Sequence, residues 1–482
     1  MKTALQAKHE FNRTLSLFDS TAIVVGSMIG SGIFIVSAEM SRTLGSPGWL
    51  LLAWAITGFI TLLAALSYGE LAGMMPHAGG QYVYLRESYN PLTGFLYGWA
   101  LFLVIQTGTI AAVAVAFAKF TGVLIPFFST TNVWLNLGFV KFDTAQLLAI
   151  GTIIILTIIN LSGIRTGRLI QNIFTFTKVF ALIGLIIMGI YFIKSDISFQ
   201  INKSIFWDAQ SISKEGIIQL TWFGIIIALG TSMVGSIFSS DAWNNITFTA
   251  GEVINPKKNI PLSLFFGTLI VTVLYILANI AYIHVLPVRG IVNGTSVFER
   301  GIQYATNSRV GTAAMEGIIG GGAAIVMAVF IMISTFGCNN GLILAGARVY
   351  YAMSRDGLFF KKAGELNKNG VPGNALISQA IWASVLCLSG TYSDLLDYIV
   401  FAVLVFYVLT IIGIFILRKK YPEAERPYKA FGYPFLPLLY IILAVIIMII
   451  LLIYKPYYTW PGLFIVLSGI PVYYVWEKRR YQ

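Results

Sequence analysis

The stretch Val25–Phe34 reads Val-Gly-Ser-Met-Ile-Gly-Ser-Gly-Ile-Phe and lies in the middle of the first long apolar segment of the chain. Three glycines, Gly26, Gly30 and Gly32, interrupt what would otherwise be a good helix. Glycine costs about 1 kcal/mol relative to alanine inside a helix, so the cluster predicts a break. In lipid, a broken helix is tolerated only where the freed backbone groups face protein or a cavity. The stretch is therefore a candidate binding site.

The composition places this segment in a membrane. The chain has 482 residues, of which 57% are hydrophobic and 11% are charged, whereas soluble domains carry roughly 25% charged residues. A soluble protein could not bury that much apolar surface. The sequence therefore predicts an all-α integral membrane protein with many spans.

Twelve apolar runs approach the roughly 20 residues that a hydrocarbon core of about 30 Å requires. We place these spans, with ends uncertain by several residues, at 18–41, 49–74, 92–121, 146–163, 170–193, 217–246, 261–286, 315–347, 374–391, 394–417, 434–454 and 459–476. Two amphipathic pieces, 78–90 and 348–364, are interpreted as interfacial helices rather than spans.

The basic residues set the orientation. With the N-terminus in the cytoplasm, about two thirds of the 32 Lys and Arg residues fall on the inside, which follows the positive-inside rule. Both termini are then cytoplasmic, with residues 1–17 and 477–482 as tails. The net charge of +12 is explained by topology and anionic lipid, so no nucleic-acid partner is expected.

Other sites are not indicated by the residues that usually form them. The three histidines are far apart, and the two cysteines, Cys338 and Cys387, lie in apolar runs. Neither a metal site nor a disulfide framework is expected. No cofactor motif is present either, because no phosphate-binding Gly-Lys-Ser/Thr sequence follows the glycines.

A second break interrupts the sixth span, where Gly230–Asn245 mixes glycine, serine, an acid and two asparagines. It repeats the first break, since Ser27–Ser31 is Ser-Met-Ile-Gly-Ser and Ser232–Ser236 is Ser-Met-Val-Gly-Ser. Five spans separate the two breaks, and an odd number forces two such units into opposite orientations. The pattern predicts a transporter core at 18–417 with inverted five-plus-five repeats at about 18–193 and 217–417. The last two spans, at 434–476, lie outside the repeat.

The ends of interrupted helices can bind charged groups. Free N–H groups suit a carboxylate, and free carbonyls suit an ammonium. Two breaks that meet would therefore recognise the backbone of an amino acid. The predicted binding residues are Met28, Ile29, Gly30, Ser31, Gly32, Phe238, Ser239 and Asp241. The alternative is a helix-packing surface, because Gly26 and Gly30 fit a Gly-x-x-x-Gly pattern.

The chain resembles the amino acid–polyamine–organocation transporters, nearest their L-type amino-acid branch and similar to prokaryotic members. The resemblance covers essentially the whole chain, in order, and is carried by Val25–Phe34, Gly45-Ser-Pro-Gly48, Gly69-Glu-Leu-Ala72, Gly79-Gly-Gln-Tyr-Val-Tyr84, Asp241-Ala-Trp-Asn-Asn245, Gly251-Glu-Val-Ile-Asn-Pro256, Asn259-Ile-Pro261 and Ala347-Arg-Val-Tyr-Tyr-Ala-Met-Ser-Arg-Asp-Gly357. It implies the inverted repeat and alternating access. It also places the carboxylate site on Gly30, Ser31 and Gly32, the ammonium acceptors on the Met28 and Phe238 carbonyls, and an aromatic gate on Phe238, whose alternative role is ordinary packing.

Asp241 stands where many neutral-substrate members of this family have glycine, whereas some relatives that also take cationic amino acids have an acid. The resemblance thus implies that the carboxylate favours a lysine, arginine or polar side chain in the substrate. The alternative is a helix cap, or a pair with Asn244 or Asn245.

Lys178 lies about 15 Å into the fifth span by helical rise if that span begins near Arg168. The resemblance implies that it bridges to the backbone of the broken first span, where sodium-coupled relatives of the fold hold a cation. A span that begins later would instead let the side chain snorkel to the interface.

These expectations favour a sodium-independent exchanger of neutral L-amino acids that admits cationic ones. The alternatives are a proton-coupled amino-acid importer of the same fold and, more remotely, a membrane-embedded enzyme or receptor. The related animal carriers are tied to a glycoprotein by a cysteine between spans 3 and 4, and Ile125–Thr144 contains no cysteine. A stand-alone carrier in the cell membrane, without a disulfide-linked heavy chain, is therefore expected.

Overall fold

A computed structural model of the chain describes residues 13–136, 141–191, 196–213, 216–388 and 392–480. The described residues are mostly helical. In chain order the α-helices are α1 Leu17–Met28, α2 Val36–Leu44, α3 Pro47–Met74, α4 Gln81–Ser88, α5 Pro91–Ala100, α6 Gln106–Leu124, α7 Thr144–Leu161, α8 Ile164–Tyr191, α9 Ile197–Ser204, α10 Trp222–Ser239, α11 Asn245–Phe248, α12 Pro256–Val285, α13 Val297–Arg300, α14 Val310–Ile319, α15 Gly321–Arg355, α16 Gly373–Leu386, α17 Tyr392–Lys420, α18 Phe435–Tyr454 and α19 Pro456–Arg480.

Shorter elements join these helices. A π-helical turn at Leu101–Ile105 links α5 to α6 within one span. Single 3₁₀ turns lie at Gly32–Phe34, Ala250–Glu252, Thr306–Ser308 and Lys361–Gly364. Two antiparallel hairpins occupy connections between spans, one formed by β1 (Val133–Asn136) and β2 (Lys141–Asp143), the other by β3 (Gln210–Ser213) and β4 (Gly216–Gln219).

Local sequence explains where several helices begin and end. Ser16 and Asp19 form a reciprocal capping box at the start of α1, and Asp143 and Gln146 form another at the start of α7. Each box satisfies two of the amide groups that a helix N-terminus leaves free. α2 ends at Gly45, whose φ of 55° is left-handed, and a Cβ there would lie 2.4 Å from the Gln210 carbonyl oxygen. Glycine is therefore required at this stop.

The prediction of a polytopic helical membrane protein is confirmed. Within the described residues, eleven helical segments are long and apolar enough to cross a bilayer. Eleven rather than the predicted twelve segments are long enough, because the ninth predicted span, 374–391, corresponds to α16. That helix has only 14 residues. Its predicted end at 389–391 lies outside the described residues.

Three of the predicted segments are wrong in part. The sixth span begins at Trp222 rather than 217, because 216–219 form β4, whose apolar residues imitate a helix start. The eighth span begins at Gly321, after Gly320 with a φ of 110°, and runs to Arg355. The interfacial helix predicted at 348–364 is therefore a continuation of α15 up to residue 355. The piece at 78–90 does contain a separate helix, α4, but most of its residues are buried in the protein.

The tails are only partly described, since residues 1–12 and 481–482 lie outside the described ranges. Residues 14 and 15 belong to the folded structure, and α19 continues through residue 480, beyond the predicted end of the last span. The boundaries of the inverted repeats stay a prediction.

Close helix packing encloses the first break. α12 packs along α3, α1 and α8. A Cβ on Gly267 of α12 would lie 2.3 Å from Val24 of α1, and a Cβ on Gly58 of α3 would lie 2.2 Å from Thr272 of α12. Such close approach is how small residues hold membrane helices together. The first half of the first span, α1, is thereby fixed inside the bundle.

Candidate functional site

The first break separates α1 from α2. α1 ends at Met28, and Ile29 leaves the helix with a φ of −75° and a ψ of 91°. The 3₁₀ turn at Gly32–Phe34 follows before α2 begins at Val36. Within the described residues, the amides of Gly30 and Gly32 donate no hydrogen bond. These two N–H groups are therefore free to bind an acceptor, as a broken helix requires.

The second break separates α10 from α11. α10 ends at Ser239, and the chain turns through Ser240 and Asp241 to Ala242, whose φ is 64°. A left-handed conformation is uncommon for a residue with a Cβ and marks a local constraint. The amide of Asp241 donates to the Phe238 carbonyl over 3.2 Å, so one acceptor position of that carbonyl is already used.

The two breaks touch each other. A Cβ on Gly32 would lie 2.0 Å from the Ser239 hydroxyl oxygen and 3.0 Å from the Ser239 Cα. The Tyr275 hydroxyl of α12 lies within hydrogen-bond distance of both segments, 2.9 Å from the Met28 carbonyl and 3.1 Å from the Ser239 carbonyl. Sequence analysis missed Tyr275, because a tyrosine in an apolar span carries no signal of its distant partners.

Lys178 of α8 lies beside the first break and is 1% exposed. Its Nζ donates to the carbonyls of Gly26 at 2.6 Å, Ile29 at 2.7 Å and Ser334 at 3.2 Å. All three donor positions of an ammonium group thus have an acceptor. The snorkelling alternative is wrong, since the side chain ends among backbone carbonyls in the interior.

α15 supplies further donors to the same segment. The Ser334 hydroxyl donates to the Ile29 carbonyl at 3.2 Å, and the Cys338 thiol donates to the Ser27 carbonyl at 3.0 Å. The unwound carbonyls on this side are therefore held by α8 and α15 together. Helix-packing glycines alone would not need such donors, because carbonyls inside a regular helix are already bonded.

Asp241 is buried, and one of its carboxylate oxygens accepts a hydrogen bond from the Tyr407 hydroxyl of α17. Its recorded side-chain partner is thus neither Asn244 nor Asn245, and Asn244 instead donates to Gln81 at 2.9 Å. The rings of Trp243 and Tyr407 lie 5.1 Å apart, centre to centre. A small cavity of about 20 Å³ opens beside this group, and the polar residues in its lining also include Gln81, Tyr97, Gln106, Thr109 and Asn245.

Phe238 is 7% exposed and lies in the continuous hydrophobic core of the protein. It therefore does not face lipid. The structure places it one residue before Ser239, at the contact between the breaks. Its role as a gate stays a prediction.

Charged residues close one end of the bundle. Glu252 and Arg348, both almost fully buried, form an ion pair of 3.1 Å between the 3₁₀ turn that follows α11 and helix α15. The backbone carbonyl of Glu252 also accepts from the amides of Thr14 and Leu15, at 2.8 and 2.9 Å. Glu70 of α3 likewise pairs with Arg418 at 2.7 Å and with Arg426 at 3.3 Å. Glu252 thus joins the N-terminal segment, the 3₁₀ turn after α11 and helix α15.

The arrangement suits recognition of a small zwitterion rather than chemistry. Free amides lie on the first break, and a buried carboxylate lies on the second. Among the described residues, no group of three or more His, Cys, Asp or Glu side chains could hold a metal ion.

The chain is similar to known membrane carriers over almost its whole length. The amino acid permease family model matches residues 15–475. The human large neutral amino acids transporter small subunit 2 is 30% identical over 472 residues, covering 97% of this chain and 81% of the relative. The human b(0,+)-type amino acid transporter 1 is 28% identical over 477 residues, covering 97% and 89%. The human cystine/glutamate transporter is 27% identical over 480 residues, covering 98% and 88%.

These matches confirm the family resemblance, and with it the prediction of a transporter rather than an enzyme. The match extends over residues 15–475, a range that includes both breaks, Lys178 and the buried ion pair. The chain belongs to the amino acid permease family of membrane transporters.

Proposed function

We propose that this protein is a sodium-independent exchanger of neutral L-amino acids that works by alternating access between the two sides of the cell membrane. The free amides of Gly30 and Gly32, together with that of Ser31, bind the substrate carboxylate. The carbonyls of Met28 and Phe238 accept from the substrate ammonium. Such a site reads the part of the substrate that all amino acids share.

The single observation that carries the exchange proposal is the position of the Lys178 ammonium among the carbonyls of Gly26, Ile29 and Ser334. A fixed positive charge fills this set of oxygens, so a sodium ion is not needed there. Without a coupling ion, net movement has no driving gradient other than that of the amino acids themselves. Exchange is the mode that this arrangement supports.

Transport by purified protein in liposomes tests the proposal. We expect uptake of labelled leucine to require unlabelled amino acid inside the vesicles and to be unchanged when choline replaces sodium. Vesicles without protein give the background. Uptake that appears only with an inward sodium gradient would contradict both the exchange and the role of Lys178. Uptake into empty vesicles driven by a pH gradient would instead support proton-coupled import.

The side chain of the substrate is read near the second break, where Asp241, Ser239 and Phe238 lie together. We propose that Asp241 lets the carrier accept lysine and arginine in addition to neutral amino acids. The name of one relative, large neutral amino acids transporter small subunit 2, describes neutral substrates for that protein. In this chain the carboxylate adds a negative charge beside a small cavity.

Substitution of Asp241 provides a direct test. We expect Asp241→Asn to weaken inhibition of leucine exchange by arginine and lysine about tenfold or more, because a charge-assisted hydrogen bond is lost. Inhibition by leucine itself should change little. The measurement is a competition panel of neutral, cationic and acidic amino acids. Glu39→Gln is a matched control, since Glu39 is an exposed acid on α2, outside the site. Unchanged inhibition by arginine in Asp241→Asn would refute the charge-reading role.

We propose that the carrier lies in the cell membrane with both termini in the cytoplasm and without a disulfide-linked partner. The described cysteines, Cys338 and Cys387, are both buried, and the connection between spans 3 and 4 contains none. A protein fused to either terminus and expressed in cells should be protected from protease added outside. Digestion of the fused protein in intact cells would reverse the orientation.

A further inference from the structure

A large apolar groove lies away from the helix breaks, between α3, α12 and the segment that precedes α18. It has a volume of about 890 Å³ and is lined by Leu62, Leu66, Pro261, Leu262, Phe265, Pro427, Tyr428 and Phe431, together with Lys257, Lys258 and Lys429. The Tyr428 ring forms part of its floor, since a Cβ on Gly69 of α3 would lie 2.8 Å from that ring. The groove is as large as a site for a small organic ligand.

The groove opens toward the lipid. On α12, Phe266, Ile270 and Val273 are 43%, 41% and 47% exposed, and they continue the line of Leu262 along one face of the helix. Phe431 at the opposite rim is 67% exposed. In a membrane-spanning protein, a continuous apolar strip of this kind contacts acyl chains. The apolar part of the groove is thus an inlet from the hydrocarbon core.

The charged part of the groove lies where α12 enters the bilayer. Lys257 and Lys258 belong to its first turn, and Lys429 precedes the start of α18. Lys257 pairs with Glu425 at 2.7 Å. Lys258 and Lys429 are exposed and have no ion-pair partner within the described part of the chain. Two uncompensated positive charges therefore stand at the mouth of an apolar groove.

We propose that this groove binds one anionic phospholipid, with its phosphate between Lys258 and Lys429 and an acyl chain along Leu262 and Phe266. Basic pockets between membrane helices, near the bilayer surface, attract anionic lipid head groups. A zwitterionic lipid would satisfy the apolar part but would leave the excess positive charge uncompensated. A soluble phosphate would satisfy the charge but would leave the apolar groove empty. Only a lipid with a net negative charge matches both parts.

Native mass spectrometry of the purified full-length protein tests the proposal. The protein is mixed with phosphatidylglycerol or with phosphatidylcholine of the same chain length, and the lipid retained per protein is counted. We expect one tightly retained phosphatidylglycerol. In Lys258→Gln/Lys429→Gln the affinity for phosphatidylglycerol should fall about 30-fold. Both lysines attract the anionic head group at the membrane surface, and each contributes about equally to that attraction.

Two further variants keep the test decisive. Lys361→Gln/Lys362→Gln removes two exposed lysines from a connection outside the groove and should retain the lipid as wild type does. Leu66→Trp fills the groove but keeps every lysine, and this variant should also lose the tightly bound lipid. Thermal unfolding and gel filtration establish that each variant is folded. If the two double-lysine variants lost the same amount of lipid affinity, the proposal would be overturned in favour of a general attraction of the lipid to surface charge. Equal retention of the two lipids, or displacement by glycerol phosphate alone, would also overturn it.

Discussion

Replacing Lys178 with methionine is expected to lower amino-acid exchange by about 100-fold or more. The ammonium group holds three carbonyls, those of Gly26, Ile29 and Ser334, in the unwound part of the first span. A buried polar group that loses its partner costs about 1–3 kcal/mol, and the three losses fall on the segment that also carries the free amides. Methionine keeps most of the side-chain volume, so the effect is not that of a cavity.

The measurement is leucine exchange in liposomes, normalised to the amount of folded protein. Lys119→Met serves as the control, because Lys119 is a lysine of α6 within another span and is partly exposed. We expect it to retain most of the activity. We also expect that sodium does not restore exchange in Lys178→Met, since the vacated space holds neutral carbonyls but gains no carboxylate. Exchange at the wild-type rate in Lys178→Met would show that the brace is dispensable.

Replacing Arg348 with alanine is expected to have the largest effect on stability. It leaves the carboxylate of Glu252, which is 1% exposed, buried without its ion-pair partner. Breaking a buried pair in this way costs about 3–5 kcal/mol. We expect a much lower unfolding temperature in detergent, or loss of folded protein, as measured by thermal unfolding with gel filtration.

Two comparisons separate the charge from the volume. The double variant Glu252→Gln/Arg348→Met removes both charges and should recover most of the lost stability, because no charge remains buried alone. Arg418→Ala breaks the bond to Glu70, but Glu70 keeps Arg426 at 3.3 Å and the amide of Ala430 at 2.7 Å. The loss of stability in Arg418→Ala should therefore be smaller than in Arg348→Ala. A double variant less stable than Arg348→Ala would contradict this account of the pair.

Much of the fold could be predicted because membrane insertion makes local sequence decisive. Gly30 and Gly32 predicted the first break at the right place, since glycine weakens a helix whatever its surroundings. Gly230 and Gly235, in contrast, lie inside α10, and the second break follows them at Ser240–Asn244. The errors have local causes too. The apolar residues Ile217 and Ile218 of a hairpin looked like the start of a span. Arg348 looked like the end of one, because its buried partner Glu252 could not be foreseen.

The site was less predictable, because its contacts join residues far apart in the chain. Tyr275 reaches Met28 across 247 positions, and Tyr407 reaches Asp241 across 166. Neither tyrosine differs in pattern from those that only pack. Hydrophobic periodicity describes one helix face at a time and carries no information on which faces meet. The residues at the breaks were therefore accessible to sequence reasoning, and the side chains that hold them were not.

The bonds of Lys178 and Arg348 also suggest an order of assembly during synthesis. The lysine and two of its three acceptors, Gly26 and Ile29, are all present once α8 has been made. Glu252 must wait for Arg348, which is 96 positions further along the chain. The newly made first half can thus shield its buried cation early, whereas the acid of the second half remains exposed to chaperones and proteases until α15 is inserted. Among truncated chains, those that end between α8 and α15 should be degraded fastest in cells.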